Sequence, residues 1–150
     1  MNSNRPGFSF TELMIVFVLL GIITAIGVPR FDYARDSSHV RSARDQVASF
    51  ATTARAAAIQ RGRSARFSIN QNAMLVEVQD STGAWVNLRQ PIALDQAFAV
   101  AVRVEPTGPV TFNPRGIARI GGTQRYIISR GAAVDSVCLT GLGVVKRKGC

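Results

Sequence analysis

Residues near the start of the chain have the types and spacing needed for an ion pair. If the chain is cut between Gly7 and Phe8, Phe8 carries a new, positively charged α-amine. Glu12 follows four residues later, about one helical turn away. Its carboxylate can pair with this amine, or with the amine of a neighbouring copy in an assembly. Such a pair is worth far more in a low-dielectric setting than on a water-exposed surface.

The apolar run around Glu12 has the length of a membrane-spanning helix. From Leu13 to Val28 the only polar side chain is Thr24. As a helix, residues 8–28 would span about 32 Å, close to the ~30 Å hydrocarbon core of a bilayer. A carboxylate inside such a run costs about 2.5–3.5 kcal/mol on insertion scales. Glu12 therefore needs a partner, unless it lies near the bilayer surface and has no role.

The flanks of the run argue against a cleaved secretory signal and indicate its orientation. Residues 25–29 make a poor signal-peptidase site, and such a signal leaves Glu12 unexplained. Arg5 precedes the run with no acid before it. The basic residues after the run are offset by nearby acids, namely Arg30 and Arg35 by Asp32 and Asp36. The N-terminus is therefore expected on the cytoplasmic side.

The N-terminal segment resembles the prepilin signal of type IV pilins and type II secretion pseudopilins. In that family a short basic leader ends in Gly, an aromatic residue follows, and a Glu is fifth in the mature chain. Gly7, Phe8 and Glu12 match this pattern, whereas residues 9–11 depart from it mildly. The resemblance implies cleavage after Gly7 by a prepilin peptidase and N-methylation of Phe8. It also implies a single-pass inner-membrane protein that moves to the periplasm and the pilus or cell surface on assembly.

Residues 8–61 are predicted to form one long helix. Pro29 either bends the helix or breaks it. Beyond Pro29 the pattern becomes amphipathic, and Gly62 is a suitable C-cap. The predicted buried stripe consists of Val40, Val47, Phe50, Ala51, Ala54, Ala57 and Ala58.

After Gly62 the hydrophobic period changes to two, which is typical of short strands. The predicted strands are Ala65–Ile69, Met74–Gln79, Trp85–Leu88, Ala97–Val104, Val110–Phe112, Ile117–Ile120, Arg125–Ser129, Val134–Leu139 and Val144–Lys146. The predicted fold class is α+β and type IV pilin-like, with a long N-terminal helix packed on a small antiparallel β domain. The predicted parts are a leader (1–7), an assembly half of the helix (8–29), an amphipathic half (30–62) and a β-rich domain (63–150).

The residue types that usually carry catalysis or bind metals are sparse. The single histidine, His39, has no cluster of ligands at a suitable spacing, and the acids are scattered. We therefore expect no enzyme activity, cofactor or metal. Cys138 and Cys150 are expected to form a disulfide in an exported domain, with two free thiols as the alternative. Trp85 is predicted to be a core residue rather than a stacking platform.

The C-terminal part of the chain is strongly basic. The whole chain has a net charge of +9, and the stretch from Phe112 to Cys150 has seven basic residues and one acid, Asp135. Such a surface could bind double-stranded DNA through its phosphates without reading bases. The alternatives are a solvated basic surface and one that faces acids on adjacent pilins. The candidate DNA-binding residues are Arg115, Arg119, Arg125, Lys146, Arg147 and Lys148.

Two C-terminal pieces resemble the FimT/GspH (FimU-like) group of minor pilins and pseudopilins. They are residues 112–116 and the final stretch with Cys138, Gly143 and Lys146. In competence-associated members of the group, a C-terminal Gly-Arg-x-Arg or Gly-Arg-x-Lys contributes to DNA binding. Gly143 and Lys146 match this motif, but Val144 replaces its first Arg. The resemblance implies a minor pilin that primes or joins a pilus together with other minor and major pilins, through its N-terminal helix. A type II secretion pseudopilin without a DNA role is the alternative.

Overall fold

The computed structural model describes residues 9–147, apart from the side chains of residues 27–29. The chain divides into two compact units, Met1–Arg35 and Asp36–Cys150. Helix α1 spans Phe10–Arg61 without interruption, so the alternative that Pro29 breaks the helix is wrong. Gly62 ends α1 at a φ of +60°, and the Arg63 N–H donates to the Ala58 carbonyl at 3.2 Å. This is the glycine cap that was predicted.

In the first unit, the described residues of α1 expose their apolar side chains. Among the described residues, α1 is the one helix that is long and apolar enough to cross a membrane, and an 18-residue stretch of it has a mean hydropathy of 2.4. Thr24 adds little polarity, because its hydroxyl donates to the Leu20 carbonyl at 2.8 Å. The exposed apolar surface of this segment is therefore suited to lipid or to other apolar helices.

The second unit contains the rest of α1, a short helix and the strands. Helix α2 spans Leu94–Phe98. The strands are β1 (Ala65–Asn70), β2 (Ala73–Gln79), β3 (Trp85–Asn87), β4 (Ile92–Ala93), β5 (Ala101–Glu105), β6 (Val110–Phe112), β7 (Ala118–Arg119), β8 (Thr123–Arg130), β9 (Ala133–Thr140) and β10 (Val145–Lys146).

The strands form two antiparallel sheets. One has six strands in the order β3-β2-β1-β6-β7, with β4 also paired to β2, and the other has four strands in the order β10-β9-β8-β5. In the first sheet, Ala65 lies opposite both Val78 and Phe112. A hydrogen bond from the Ala118 N–H to the Gly141 carbonyl, 3.1 Å long, joins the edge of the first sheet to the β9–β10 turn.

The core lies between α1 and the sheets. All seven residues of the predicted helix stripe are buried, so that prediction is confirmed. They pack with alternate residues of the strands, including Phe67, Val76, Phe112 and Tyr126. Burial raises the pKa of the Tyr126 hydroxyl well above its ordinary value, and this hydroxyl donates to Gln124 Oε1 at 3.2 Å. The alanines of the stripe let the sheets approach the helix closely.

Most of the predicted strands are present, but the prediction for Ala97–Val104 is partly wrong. Its first two residues belong to α2, and Ala99 then turns the chain with a φ of +51°. Only residues 101–105 form a strand, β5. The stretch from Ala97 to Val100 has no clear hydrophobic alternation, so the sequence could not reveal this boundary.

The prediction that Trp85 is a core residue is also wrong. Trp85 is half-buried at the start of β3, and the Arg66 guanidinium stacks on its ring at 4.4 Å. Arg66 also donates to Glu77 Oε1 at 2.8 Å across the β1–β2 pair, and this hydrogen bond raises the Arg66 pKa. Trp85 therefore covers a polar pair on a sheet surface.

Candidate interaction surface

The residues of the predicted processing site fall partly outside the described range. Gly7 and Phe8 lie outside it, so the cleavage and the N-methylation remain predictions. Glu12 is exposed in the first turn of α1, where the helix dipole favours a carboxylate. The position of Glu12 is thus compatible with an ion pair to an amine near the start of the helix.

The predicted disulfide also falls partly outside the described residues. Cys138 is buried in β9 and lies opposite Arg125 on one side and Lys146 on the other. Residues directly opposite in an antiparallel sheet share a face, so Cys138 is on the same face as these two exposed basic residues. Cys150 lies outside the described range, and its bond to Cys138 remains a prediction.

The basic candidates surround a group of three turns, which we call the turn cluster: residues 113–117, 120–122 and 140–144. In the first turn, Asn113 Oδ1 accepts hydrogen bonds from the N–H groups of Arg115 and Ile117, both at 3.0 Å. The Gly116 N–H donates to the Asn113 carbonyl at 2.8 Å. The asparagine side chain therefore organises this turn from within.

Gly143 brings the first and third turns into contact. It has a φ of +74°, and a Cβ atom added there would lie 2.7 Å from the Gly116 carbonyl oxygen. The third turn is closed by the Gly143 N–H, which donates to the Thr140 carbonyl at 2.8 Å. A Cβ atom at Gly141 would lie 3.7 Å from the Gly122 carbonyl oxygen, so the second turn also adjoins the third. Glycine is needed at Gly143 both for its φ angle and for this close approach.

Arg55 of α1 holds the turn cluster from the helix side. Its Nη1 donates to the Gly143 carbonyl at 3.2 Å. Its Nε is buried and has no hydrogen-bond partner within the described part of the chain. An added Cβ at Gly116 would approach this Nε to 3.1 Å. The guanidinium group thus fills the space that glycines leave open.

Three of the predicted DNA-binding residues lie around the turn cluster. Arg115 is exposed in the first turn, Arg119 is exposed in β7, and Lys146 is exposed in β10. Within residues 9–147, none of these three side chains forms an ion pair. Their charges are therefore available to an anionic partner.

The other predicted DNA-binding residues have different surroundings. Arg125 lies opposite Glu105 across the β5–β8 pair. Arg147 is 3.9 Å from an Asp45 carboxylate oxygen on α1. Lys148 lies outside the described residues. Arg119 and Arg125, which flank the second turn, belong to different sheets. The basic C-terminal stretch thus does not act as one continuous set of free charges.

Sequence reasoning missed two ion pairs that connect α1 to the four-stranded sheet. Arg44 Nη1 lies 2.8 Å from Asp135 Oδ2, and Arg130 Nε lies 2.7 Å from Asp36 Oδ1. Arg130 also donates to the Phe98 carbonyl at 3.0 Å. No local sequence signal could reveal these pairs, because their partners are about 90 residues apart. Of the basic residues counted in the C-terminal stretch, Arg130 is therefore occupied in holding the fold.

His39 is half-buried on α1. Among the described residues, no three His, Cys, Asp or Glu side chains lie together in a way that could hold a metal ion.

Comparisons with known proteins assign the family. Residues 43–143 match the family model described as type II transport protein GspH, and residues 2–28 match the prokaryotic N-terminal methylation motif. Since the first match covers more than half of the chain, the chain belongs to the GspH family. No match was found among curated proteins.

The fold is similar to that of solved minor pilins. The type IV minor pilin FimU of Pseudomonas aeruginosa matches in one crystal form with a TM-score of 0.62 at 14% identity, and the match covers 75% of this chain and 90% of the FimU chain in that structure. A second crystal form matches with a TM-score of 0.58 at 14% identity, covering 73% and 92%. These findings confirm the predicted FimT/GspH-type family and the pilin-like α+β fold.

The chain is therefore a GspH-family protein with an N-terminal methylation motif, and its fold is that of a type IV minor pilin. Membership in the family implies assembly with other pilins and processing by a prepilin peptidase. The methylation motif and the apolar N-terminal helix fit a pilin that is anchored in the membrane before assembly.

Proposed function

We propose that the protein is a minor pilin of a type IV pilus, which primes or joins the filament and binds double-stranded DNA without reading its sequence. The observation that carries the DNA-binding part is the exposure of Arg115, Arg119 and Lys146 around the turn cluster, without acidic partners within residues 9–147. A cation that already pairs with an acid binds a phosphate less favourably, so these three residues are the strongest candidates for contact with DNA.

The alternative function is that of a minor pseudopilin in a type II secretion system. The description of the matching family, type II transport protein GspH, favours it. The likeness to FimU, which is named as a type IV minor pilin, favours the pilus. In either assembly, the apolar half of α1 would pack with other subunits, and Glu12 would pair with the amine of a processed Phe8.

DNA binding is tested with the full chain in a zwitterionic detergent, titrated with a fluorescent duplex at several salt concentrations. We expect the logarithm of the affinity to fall linearly with the logarithm of the salt concentration, with a contribution of about 0.9 to the slope from each phosphate contact. The triple variant Arg115→Gln, Arg119→Gln, Lys146→Gln should reduce the magnitude of this salt slope by about 2 to 3. It should weaken binding to duplexes of different sequence to the same extent.

The matched control removes three exposed charges that form no ion pair among the described residues, with Arg35→Gln, Arg41→Gln and Arg61→Gln. Both variants lower the net charge by the same amount, so a purely nonspecific attraction would weaken equally in the two. Equal weakening, or no binding of the unmodified protein at low salt, would refute the DNA site. The minor pilin assignment would then stand without a DNA role.

A further inference from the structure

Exposed apolar side chains gather at the turn cluster. In the described part of the second unit, six large apolar side chains are exposed, and four of them lie here. These four are Ile59, Ile117, Leu142 and Val144, with exposed fractions of 51, 43, 71 and 45%. We call them the turn patch. Single exposed apolar residues are common on proteins, but a group from separate elements is typical of a binding surface.

The backbone holds the turn patch together. A Cβ atom added at Gly116 would lie 2.7 Å from Ile59 Cδ1, so the first turn rests on the end of α1. Ile117 follows Gly116, whereas Leu142 and Val144 flank Gly143, which contacts the Gly116 carbonyl. Because α1 and two closed turns supply these residues, the patch is largely pre-formed, and little conformational entropy is lost when a partner binds.

The border of the turn patch is positively charged. Arg115 and Lys146 are exposed and lie two residues from Ile117 and Val144 in the chain, and Arg119 lies two residues after Ile117 on β7. A second copy of this chain would bring the same cations face to face, which disfavours self-association. A partner with carboxylates around an apolar centre would complement both the charge and the apolar surface.

We propose that the turn patch binds a different protein subunit through an apolar projection bordered by Asp or Glu side chains. The inference rests on the proposed pilus role only in that the partner subunit belongs to the same filament. A subunit bound here would exclude DNA from Arg115 and Lys146, so the two partners would compete for this surface. DNA binding alone does not account for the turn patch, because four apolar side chains make no favourable electrostatic contact with duplex phosphates. A membrane surface needs no such rigid arrangement of residues from three elements.

The test is photo-crosslinking in cells of the source organism that produce the full chain. A benzophenone amino acid replaces Leu142, and in a matched control it replaces Val134, which is 64% exposed on β9. We expect a strong adduct from position 142 with a protein that itself has a prepilin signal. Mapping of the crosslinked peptide should place the attachment site beside Asp or Glu residues.

A second variant tests the charged border. Arg115→Glu together with Lys146→Glu should reduce the adduct from position 142 by about tenfold or more, because like charges then face each other. Adducts with only DNA, lipid or another copy of the chain would overturn the proposal, as would identical adducts from positions 142 and 134. If the protein is still recovered in sheared filaments, such a result refutes the interface and leaves the pilus role intact.

Discussion

Gly143 and Gly83 both have positive φ angles, but their surroundings differ. The φ angles are +74° and +84°. A Cβ atom at Gly143 would lie 2.7 Å from the Gly116 carbonyl oxygen, whereas one at Gly83 would have no heavy atom within 4 Å. The comparison separates the cost of a left-handed backbone from the cost of a steric clash. At the residue scale, a side chain at Gly143 would therefore incur both costs, whereas one at Gly83 would incur only the first.

We expect Gly83→Ala to lower the free energy of unfolding by about 1 kcal/mol, the usual cost of left-handed backbone for an L-residue. Gly143→Ala should cost about 2 to 4 kcal/mol, since overpacking adds to the same backbone cost. Trp85 is the only tryptophan of the chain, so its fluorescence reports denaturant unfolding of the second unit. If the two variants lose the same free energy of unfolding, the close approach of Gly143 to Gly116 does not limit the side chain at position 143.

At the scale of elements, the packing of α1 was largely predictable and its polar connections were not. The buried stripe follows from a 3.6-residue period, which is a local property of the sequence. The pair between Arg44 and Asp135 joins α1 to β9 and depends on the order of strands in the sheet. The same holds for the stacking of Arg66 on Trp85, which requires the β1–β2–β3 arrangement.

The Arg44–Asp135 pair should contribute measurably to stability. The two side chains are 16% and 29% exposed, whereas those of the Arg103–Glu105 pair are 78% and 42% exposed. In double-mutant cycles with Arg→Gln and Asp→Asn or Glu→Gln, we expect a coupling energy of about 1 kcal/mol for the first pair. The exposed pair should couple by only about 0.3 kcal/mol, because water screens it.

Denaturant unfolding at low and high salt measures both cycles. Arg44 also contacts Asp45 at 3.2 Å, so the single variant Arg44→Gln changes two contacts, and only the cycle isolates the link to Asp135. A coupling energy no larger for the Arg44 pair than for the Arg103 pair would mean that packing alone positions β9 against α1.

At the scale of the whole molecule, the first unit is expected to decide incorporation into a filament and the second to decide what the filament contacts. We predict that Glu12→Val leaves the protein in the membrane but removes it from filaments, because no carboxylate remains for the Phe8 amine. The matched control is Thr24→Val in the same run, where the hydroxyl donates to the Leu20 and Gly21 carbonyls of α1. This variant should be incorporated normally.

Sheared surface filaments, probed with an antibody to the second unit, measure incorporation. Normal incorporation of Glu12→Val would refute the role given to the carboxylate. Absence of the unmodified protein from pili, together with a secretion defect when its gene is deleted, would favour the type II secretion alternative.

The sequence by itself determined the N-terminal motif, the apolar run, the helix stripe and most of the strands. Each depends on residue types at short, regular spacing, so neighbouring residues contain the information. The start of β5 could not be predicted from the sequence, because α2 and the strand share one apolar stretch without alternation.

Only the tertiary structure decided which of the basic residues are free and where they lie. Whether a cation meets an acid depends on strand register, as for Arg125 opposite Glu105, and on helix-to-sheet contacts, as for Arg147 near Asp45. The turn cluster arises in the same way, since Gly116 and Gly143 meet only after two sheets have packed on one helix. Contacts between residues far apart in the chain leave no periodic signal in the sequence, and for that reason the turn patch could not be found from it.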